Sequence, residues 1–190
     1  MRLSKIVLLT AVLVASSVLA KTGSGKAGSS SGDFHPALFC DGTYALCIKA
    51  LCSPDESARN RVRCVCDVVQ GWNMGPESCE ARRKHLFSTY SNLYNDTHKT
   101  LACNDANTRW AWCYGAPCTV DAKDPAKAIC SCPVKTGPAR TLGGDCQKVA
   151  CRKVWSAATP AADQFANRHF HKYMQDHNRP SNPPAQACLP

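Results

Sequence analysis

Two stretches with matching cysteine spacing decide the fold: CDGTYALCIKALCSPDESARNRVRCVCDVVQGWNMGPESC at residues 40–79 and CNDANTRWAWCYGAPCTVDAKDPAKAICSCPVKTGPARTLGGDC at residues 103–146. Their gaps are C-x6-C-x4-C-x11-C-x-C-x12-C and C-x9-C-x4-C-x11-C-x-C-x13-C. Because the three inner gaps are identical, the spacing indicates a tandem duplication. The blocks contain Cys40, Cys47, Cys52, Cys64, Cys66, Cys79, Cys103, Cys113, Cys118, Cys130, Cys132 and Cys146.

The duplication extends beyond the cysteines. Tyr44-Ala45-Leu46-Cys47 aligns with Trp110-Ala111-Trp112-Cys113, 66 residues later. After two single-residue insertions, Leu86-Phe87-Ser88 aligns with Val154-Trp155-Ser156. The repeated unit is therefore longer than its cysteine block, and we predict units over residues 34–98 and 99–177.

The N-terminus has the pattern of a secretory signal. Arg2 and Lys5 precede an apolar run from Ile6 to Val18, and small residues follow at Val18-Leu19-Ala20. A membrane anchor is the alternative, but the run is shorter than a spanning helix requires. We expect a signal peptide over 1–20, a flexible Gly/Ser linker over 21–33 and a Pro-rich tail over 178–190. This organisation predicts a secreted, extracellular or periplasmic protein without stable membrane insertion.

The even cysteine count predicts disulfides in an exported chain. All fourteen cysteines, including Cys151 and Cys188, are expected to take part. Metal binding through Cys64-x-Cys66 and Cys130-x-Cys132 is the competing interpretation, but structural zinc pairs usually have wider spacing. Leu, Ile, Val and Phe supply only 23 of the residues after Ala20. We therefore expect covalent closure to stabilise a small core, and we predict no cofactor.

The chain is basic, with a formal net charge of +9. Its only tight basic run is Arg82-Arg83-Lys84-His85. Such a surface favours anionic glycans or other anionic surfaces, and the alternative is a solvated helix face. The sequence contains no nucleic-acid-binding motif, so a nucleic-acid partner is not expected.

Hydrophobic periodicity predicts strands and helices around the cysteines. Residues 62–69 and 128–134 alternate and carry β-branched side chains, which is typical of strands. Stripes at helical spacing predict helices near 80–95 and 161–176. The predicted fold class is a small disulfide-rich α+β protein of two tandem units. Each unit is expected to be a short β-hairpin/loop cysteine block followed by a helix.

The blocks resemble EGF-like modules. The resemblance rests on a central C-x-C followed by glycines and a final cysteine, as in Cys64-Val65-Cys66, Gly71-Trp72, Gly75 and Cys79. It implies the disulfides 40–52, 47–64, 66–79, 103–118, 113–130 and 132–146, and it leaves Cys151 and Cys188 to each other. No acidic calcium-binding pattern precedes Cys40 or Cys103, and the predicted helix is foreign to that family. The chain also looks like uncharacterised exported cysteine-rich bacterial proteins.

Candidate metal ligands and catalytic residues are few. His169, His171 and His177 form the only histidine cluster. On a helix, positions i and i+2 face opposite sides, so a basic amphipathic helix is the alternative to metal binding. The sequence lacks G-x-S-x-G, H-E-x-x-H and phosphate-binding glycine motifs. Ser88 and Ser156 recur in both units, as expected of capping or packing residues, and we assign no catalytic residue.

Aromatic residues beside cysteines and glycines are the best binding candidates. They are Trp72, Trp110, Trp112, Tyr44 and Tyr114. Tryptophan and tyrosine are favoured at recognition surfaces, because they bury a large area and keep a polar group. The alternative is that they form the core of a disulfide-rich module.

These patterns predict a non-enzymatic binding protein that recognises an extracellular protein or an anionic glycan or surface. One alternative is a small secreted hydrolase with a site between the repeats that uses His85 or His169. A second alternative is a tandem protease inhibitor, although its cysteine gaps match neither the Kazal-like nor the Kunitz-like spacing. The sequence makes no prediction about oligomeric state.

Overall fold

The computed structural model describes residues 34, 36–91, 101–144, 146 and 152–179. The predicted signal peptide and linker, most of the predicted tail, Cys151 and Cys188 lie outside these residues. The described elements are β1 Leu38–Leu46, β2 Leu51–Pro54, β3 Arg61–Gly75, α1 Cys79–Lys84, β4 Leu101–Cys103, β5 Arg109–Ala111, β6 Cys118–Val120, β7 Lys127–Thr136, β8 Ala139–Thr141, β9 Val154–Trp155 and α2 Pro160–Asp176.

The fold is mostly antiparallel sheet with one C-terminal helix. Seven strands form one sheet around β3 and β7, and β4 pairs with β8 separately. Both central strands carry a C-x-C motif, which confirms the two predicted strands. Alternation places Val62, Cys64 and Cys66 in the core, whereas Arg63 and Val65 between them are exposed. The cysteines of each motif therefore point to the same buried face.

The strand pairing of the first block recurs in the second. In the β1–β3 ladder Thr43 opposes Gln70, and in the β5–β7 ladder Arg109 opposes Thr136. Each residue of the second pair lies 66 positions after the matching residue of the first pair. We call two residues that match in this way counterparts. Their separation in sequence is 66 residues within the blocks and 68 residues for the segments that follow the last cysteine of each block. Strands β3 and β7 pair so that Cys64 opposes its own counterpart, Cys130. Their antiparallel ladder is consequently symmetric about this pair.

The disulfides are nested, and this corrects the EGF-like pairing. The bonds are 40–79, 47–66 and 52–64 in the first block, and 103–146, 113–132 and 118–130 in the second. The first cysteine of each block pairs with the last, the second with the fifth, and the third with the fourth. Both blocks share this order.

Strand register explains why the EGF-like pairs do not form. Cys52 lies directly opposite Cys64, with their Cα atoms 4.1 Å apart. Cys40 lies opposite Asn73, nine positions further along β3. At the rise of a strand this is roughly 30 Å, far beyond the reach of a disulfide. Cys40 is thereby kept from Cys52 and bonds to Cys79 at the start of α1.

Sulfur replaces much of the missing aliphatic core. Cys52, Cys64, Cys130 and Cys118 form a row across β2, β3, β7 and β6. The sulfur atoms of Cys113 and Cys64, from different blocks, lie 3.5 Å apart. Around this row pack small residues such as Ala45, Ala111 and Ala128. The two blocks therefore share one core.

The helix predicted over 80–95 is wrong over residues 85–91, and residues 92–95 lie outside the described part of the chain. Ser78 caps α1 by accepting a hydrogen bond from the Ala81 amide, and the backbone becomes extended at His85. Phe87 then accepts from the Ala45 amide, and Ser88 donates to Ala116. These long-range bonds satisfy the backbone that a helix would have paired locally, so within residues 79–91 the helix is limited to the six residues of α1.

The predicted C-terminal helix is present as α2. Thr159 caps its N-terminus by accepting from the Ala162 amide, and Pro160 occupies the first turn. Its buried stripe is Ala162, Ala166, Phe170 and Met174. These residues pack against Phe34, Met74 and Tyr90 in a second, aromatic core. None of the helices in the described ranges has the length and apolar character to span a bilayer.

Candidate functional site

A cavity lies where the two cysteine blocks meet α2. We call it the central cavity; it has a volume of about 60 Å³ and is open to solvent. Two pairs of counterpart segments form its walls, 46–48 with 112–114 and 88–90 with 156–158. The remaining lining residues are Phe34, Arg140, Thr141, Leu142 and Asp163. The cavity is therefore built across the symmetric centre of the fold.

Disulfides and long-range backbone bonds hold these walls in place. Cys47 and Cys113, at the centres of two wall segments, are tied to the C-x-C strands by the bonds to Cys66 and Cys132. The Ser156 amide donates a hydrogen bond to the Ala50 carbonyl of the first block, and the Ser88 amide donates to the Ala116 carbonyl of the second block. Segments 88–90 and 156–158 are thereby each bonded to the other block, and segments 46–48 and 112–114 are each held by a disulfide to the C-x-C strand of their own block.

Aromatic rings cover one part of the cavity. Phe34 packs edge-on to Trp112 at 5.1 Å between ring centroids and tilted on Tyr114 at 4.5 Å. The Tyr114 hydroxyl donates to the Pro36 carbonyl at 3.0 Å. Burial raises the pKa of Tyr114 above its ordinary value, so the phenol remains a donor. This bond fixes the chain around Phe34 against the second block.

Two charged side chains line the otherwise apolar cavity. Arg140 is in β8, where its backbone exchanges hydrogen bonds with Ala158. Its Nε is buried and has no hydrogen-bond partner in the described part of the chain. Asp163 lies in the first turn of α2. Burial raises the pKa of the Asp163 carboxyl, and the Arg140 charge acts in the opposite direction.

The threonine hydroxyls at the cavity differ in their hydrogen bonding, because Thr89 Oγ1 is buried without a partner in the described residues, whereas Thr141 Oγ1 is bonded. Thr141 Oγ1 donates to the Ser156 carbonyl at 2.8 Å and accepts from the Gly143 amide at 2.9 Å. Ser88 and Ser156 are buried, 2% and 4% exposed. The described residues around the cavity include no histidine, so neither His85 nor His169 meets these serines there.

The five aromatic binding candidates separate into three groups. Trp112 and Tyr114 line the central cavity. Tyr44 and Trp110 are 0% and 4% exposed, which places them in the core rather than on a recognition surface. Trp72 lies beside α2, with the Arg179 guanidinium 4.9 Å from its ring centre.

His169 and His171 lie in α2, and His177 is its C-terminal cap residue. His169 stacks on Phe165, and His177 stacks on Tyr173 and contacts its carbonyl through Nδ1 at 2.9 Å. They are not among the groups of three potential ligands that lie close together in the described ranges. Those groups are Cys47, Cys66 and Cys130, and Cys52, Cys64 and Cys113. All six cysteines are in disulfides, which removes them as thiolate ligands.

The basic run divides into a buried and an exposed part. Arg82 is buried, and it donates to Asn73 Oδ1 at 2.7 Å and to the Leu38 carbonyl at 2.6 Å. Arg83, Lys84 and His85 line an open groove beside α1, which we call the basic groove. The sequence pattern predicted that all four residues belong to a basic surface, whereas the structure shows that Arg82 is buried and bonded within the fold.

Sequence reasoning missed Arg140, Asp163 and Phe34. One signal was available for Arg140, because its counterpart in the first block is Met74, which is fully buried. A charged residue at the counterpart of a core methionine marks a position where the two blocks differ in chemistry. Asp163 and Phe34 carried no comparable signal, since neither has a counterpart in the cysteine blocks.

Comparison with known proteins yields no relative. No protein-family model matches the chain, and no curated protein and no solved structure matches it.

Proposed function

We propose that the chain is an exported, disulfide-stabilised binding protein without catalytic activity, and that the central cavity is its ligand site. The observation that carries the proposal is the composition of the cavity. Its walls are mainly apolar and aromatic, and Arg140 and Asp163 supply charge. Ligand sites commonly combine apolar walls with a few placed polar groups. Six disulfides are consistent with an oxidising, extracellular location.

The proposal includes a duplicated architecture. Two tandem units, 34–98 and 99–177, follow a signal peptide and linker and precede the Pro-rich tail. Recurrent strand register and recurrent disulfide order support the duplication. Because both members of each pair of counterpart segments line the cavity, duplication supplies a reason for a site at the junction.

The partner proposed for this site is an extracellular protein that inserts one compact group into the cavity. By the volume that a single water needs, a cavity of this size holds roughly four waters. That suits a side chain or chain end better than a sugar polymer. Binding energy at protein interfaces is concentrated in such buried anchors. An anionic glycan or surface is assigned to the basic groove, where Arg83 and Lys84 are exposed.

A hydrolase remains the competing function, because Asp163 and two serines share the cavity. A serine nucleophile requires an adjacent base. The raised pKa of Asp163 is the feature that favours catalysis. A tandem inhibitor has no comparable support, since the notable feature is concave rather than a projecting loop.

An NMR titration tests the binding proposal. A panel of small apolar and aromatic compounds is added to ¹⁵N-labelled protein, and saturable shifts are expected in residues 46–48, 88–90, 112–114 and 156–158. Ala158→Tyr places at this wall the tyrosine that its counterpart Tyr90 carries, and it is expected to abolish these shifts. Gly42→Ala is the control, because a Cβ there meets nothing within 4 Å.

Two outcomes would contradict the proposal. Binding that is unchanged in Ala158→Tyr would place the site elsewhere. Saturable turnover of chromogenic esters or peptides that disappears in Asp163→Asn would favour the hydrolase. Disulfide mapping and the dispersion of the NMR spectrum verify that each variant is folded.

A further inference from the structure

Thr89 and Arg140 are the side chains at the central cavity that have a buried polar atom without a partner in the described residues, and the charged one of the two is Arg140. Its Nε is buried and lacks a partner among the residues that the structure describes. A buried donor without a partner is costly, and a bound water or ion is one way in which native proteins satisfy such a group. The Arg140 charge acts to lower the pKa of the Asp163 carboxyl, yet no ion pair within 4 Å joins the two side chains in the described ranges.

The remaining walls define what else the ligand must carry. Phe34, Leu46, Trp112, Tyr114 and Leu142 surround the cavity with apolar and aromatic surface. Phe34, Trp112 and Tyr114 contact one another. A ligand therefore gains by burying a compact hydrocarbon group here.

We infer that the central cavity binds an apolar carboxylate, with the carboxylate on the Arg140 guanidinium and the hydrocarbon group among the aromatic walls. The inference rests on the proposed binding function and specifies its ligand. Arginine presents a planar set of N–H donors that matches the two oxygens of a carboxylate, and such charge-assisted bonds are strong in partly buried sites. The same chemistry is offered by a small free acid and by the C-terminal residue of a peptide.

The first arm of the test compares an acid with its neutral amide. The probes are 3-methylbutanoate and 3-methylbutanamide, titrated by ¹⁵N NMR at constant ionic strength. We expect the acid to bind at least tenfold more tightly than the amide. The second arm compares the peptide Gly-Gly-Gly-Val with its C-terminal amide. Binding of the free acid alone identifies a small-molecule ligand, and preferential binding of the free-carboxylate peptide identifies a chain end.

Two variants assign the preference to Arg140. Arg140→Met adopts the residue of its counterpart Met74, which keeps an unbranched apolar stem and removes the charge. We expect it to bind acid and amide equally. Arg140→Lys keeps the charge without the planar fork and should retain only part of the preference. Arg168→Met removes a positive charge from the exposed face of α2 and should leave the preference intact.

The outcomes separate this inference from the function beneath it. Equal affinity for acid and amide in the unaltered protein overturns the carboxylate assignment and leaves the cavity as a ligand site. A preference that survives in Arg140→Met overturns the role of this residue. Failure of these probes and of the whole apolar panel overturns both the inference and the proposed function.

Discussion

Replacing Cys52 and Cys64 together by alanine tests the nested disulfide order. The bond closes a loop of 12 residues in sequence. Loop-closure entropy then gives a loss of about 2.8 kcal/mol in the free energy of unfolding, and about 3.9 kcal/mol for the outer Cys40–Cys79 pair, which spans 39 residues. The value for the inner pair is an upper value, because the 47–66 bond already restricts the same segment.

Urea unfolding measures these losses, and alkylation followed by mass spectrometry counts the new free thiols. With nested pairing, the Cys52→Ala/Cys64→Ala variant gains no free thiol. The control variant Cys40→Ala/Cys52→Ala removes a pair expected from the EGF-like pattern, and it should release Cys64 and Cys79. The reverse result, with two new thiols in the first variant and none in the control, would refute the register argument.

Three further predictions concern packing, pH and charge. Gly143→Ala would place a Cβ against the ring carbons Cε3 and Cδ2 of Trp155, closer than van der Waals contact allows, so urea unfolding should show a loss of about 1–3 kcal/mol in the free energy of unfolding. The control Gly42→Ala should change that free energy by less than about 1 kcal/mol, because a Cβ there meets nothing within 4 Å. Burial raises the pKa of Asp163 above 3.8, so the folded state holds this proton more tightly than the unfolded state, and stability falls as pH rises above that value. In thermal melts, Asp163→Asn should therefore gain stability relative to the unaltered chain as pH rises between about pH 3 and pH 7, and an opposite trend would contradict the assignment. Arg83→Glu should elute from a sulfated-glycan column at lower salt than Arg168→Glu, which makes the same charge change on α2, and equal elution would exclude the basic groove as the contact.

Local patterns predicted the parts of the fold that depend on local physics. Alternation around the two C-x-C motifs places strands β3 and β7 correctly, because a half-buried strand exposes every second residue. The stripe near 161–176 likewise corresponds to α2. The same logic failed over residues 85–91, which pair with the strands of both blocks instead of with one another. In this segment, backbone hydrogen bonds to distant strands outweigh the local preference for a helix.

The candidate site was less accessible to sequence reasoning. Trp112 and Tyr114 were chosen as aromatic residues beside cysteines, and they do line the central cavity. The same criterion chose Tyr44 and Trp110, which are core residues. Identical local contexts lead to different exposures, because burial depends on which strand covers each side chain.

The spacing of the cysteines by itself determined that the chain is stabilised covalently and that two blocks follow a common plan. Which cysteines bond was decided only in three dimensions, since the register of β2 and β3 sets Cys52 against Cys64. The central cavity was decided there as well, because its walls come from four segments that are spread over residues 46–158 of the chain. Spacing along the chain specifies the order of the residues, whereas strand register and packing determine which of them come into contact.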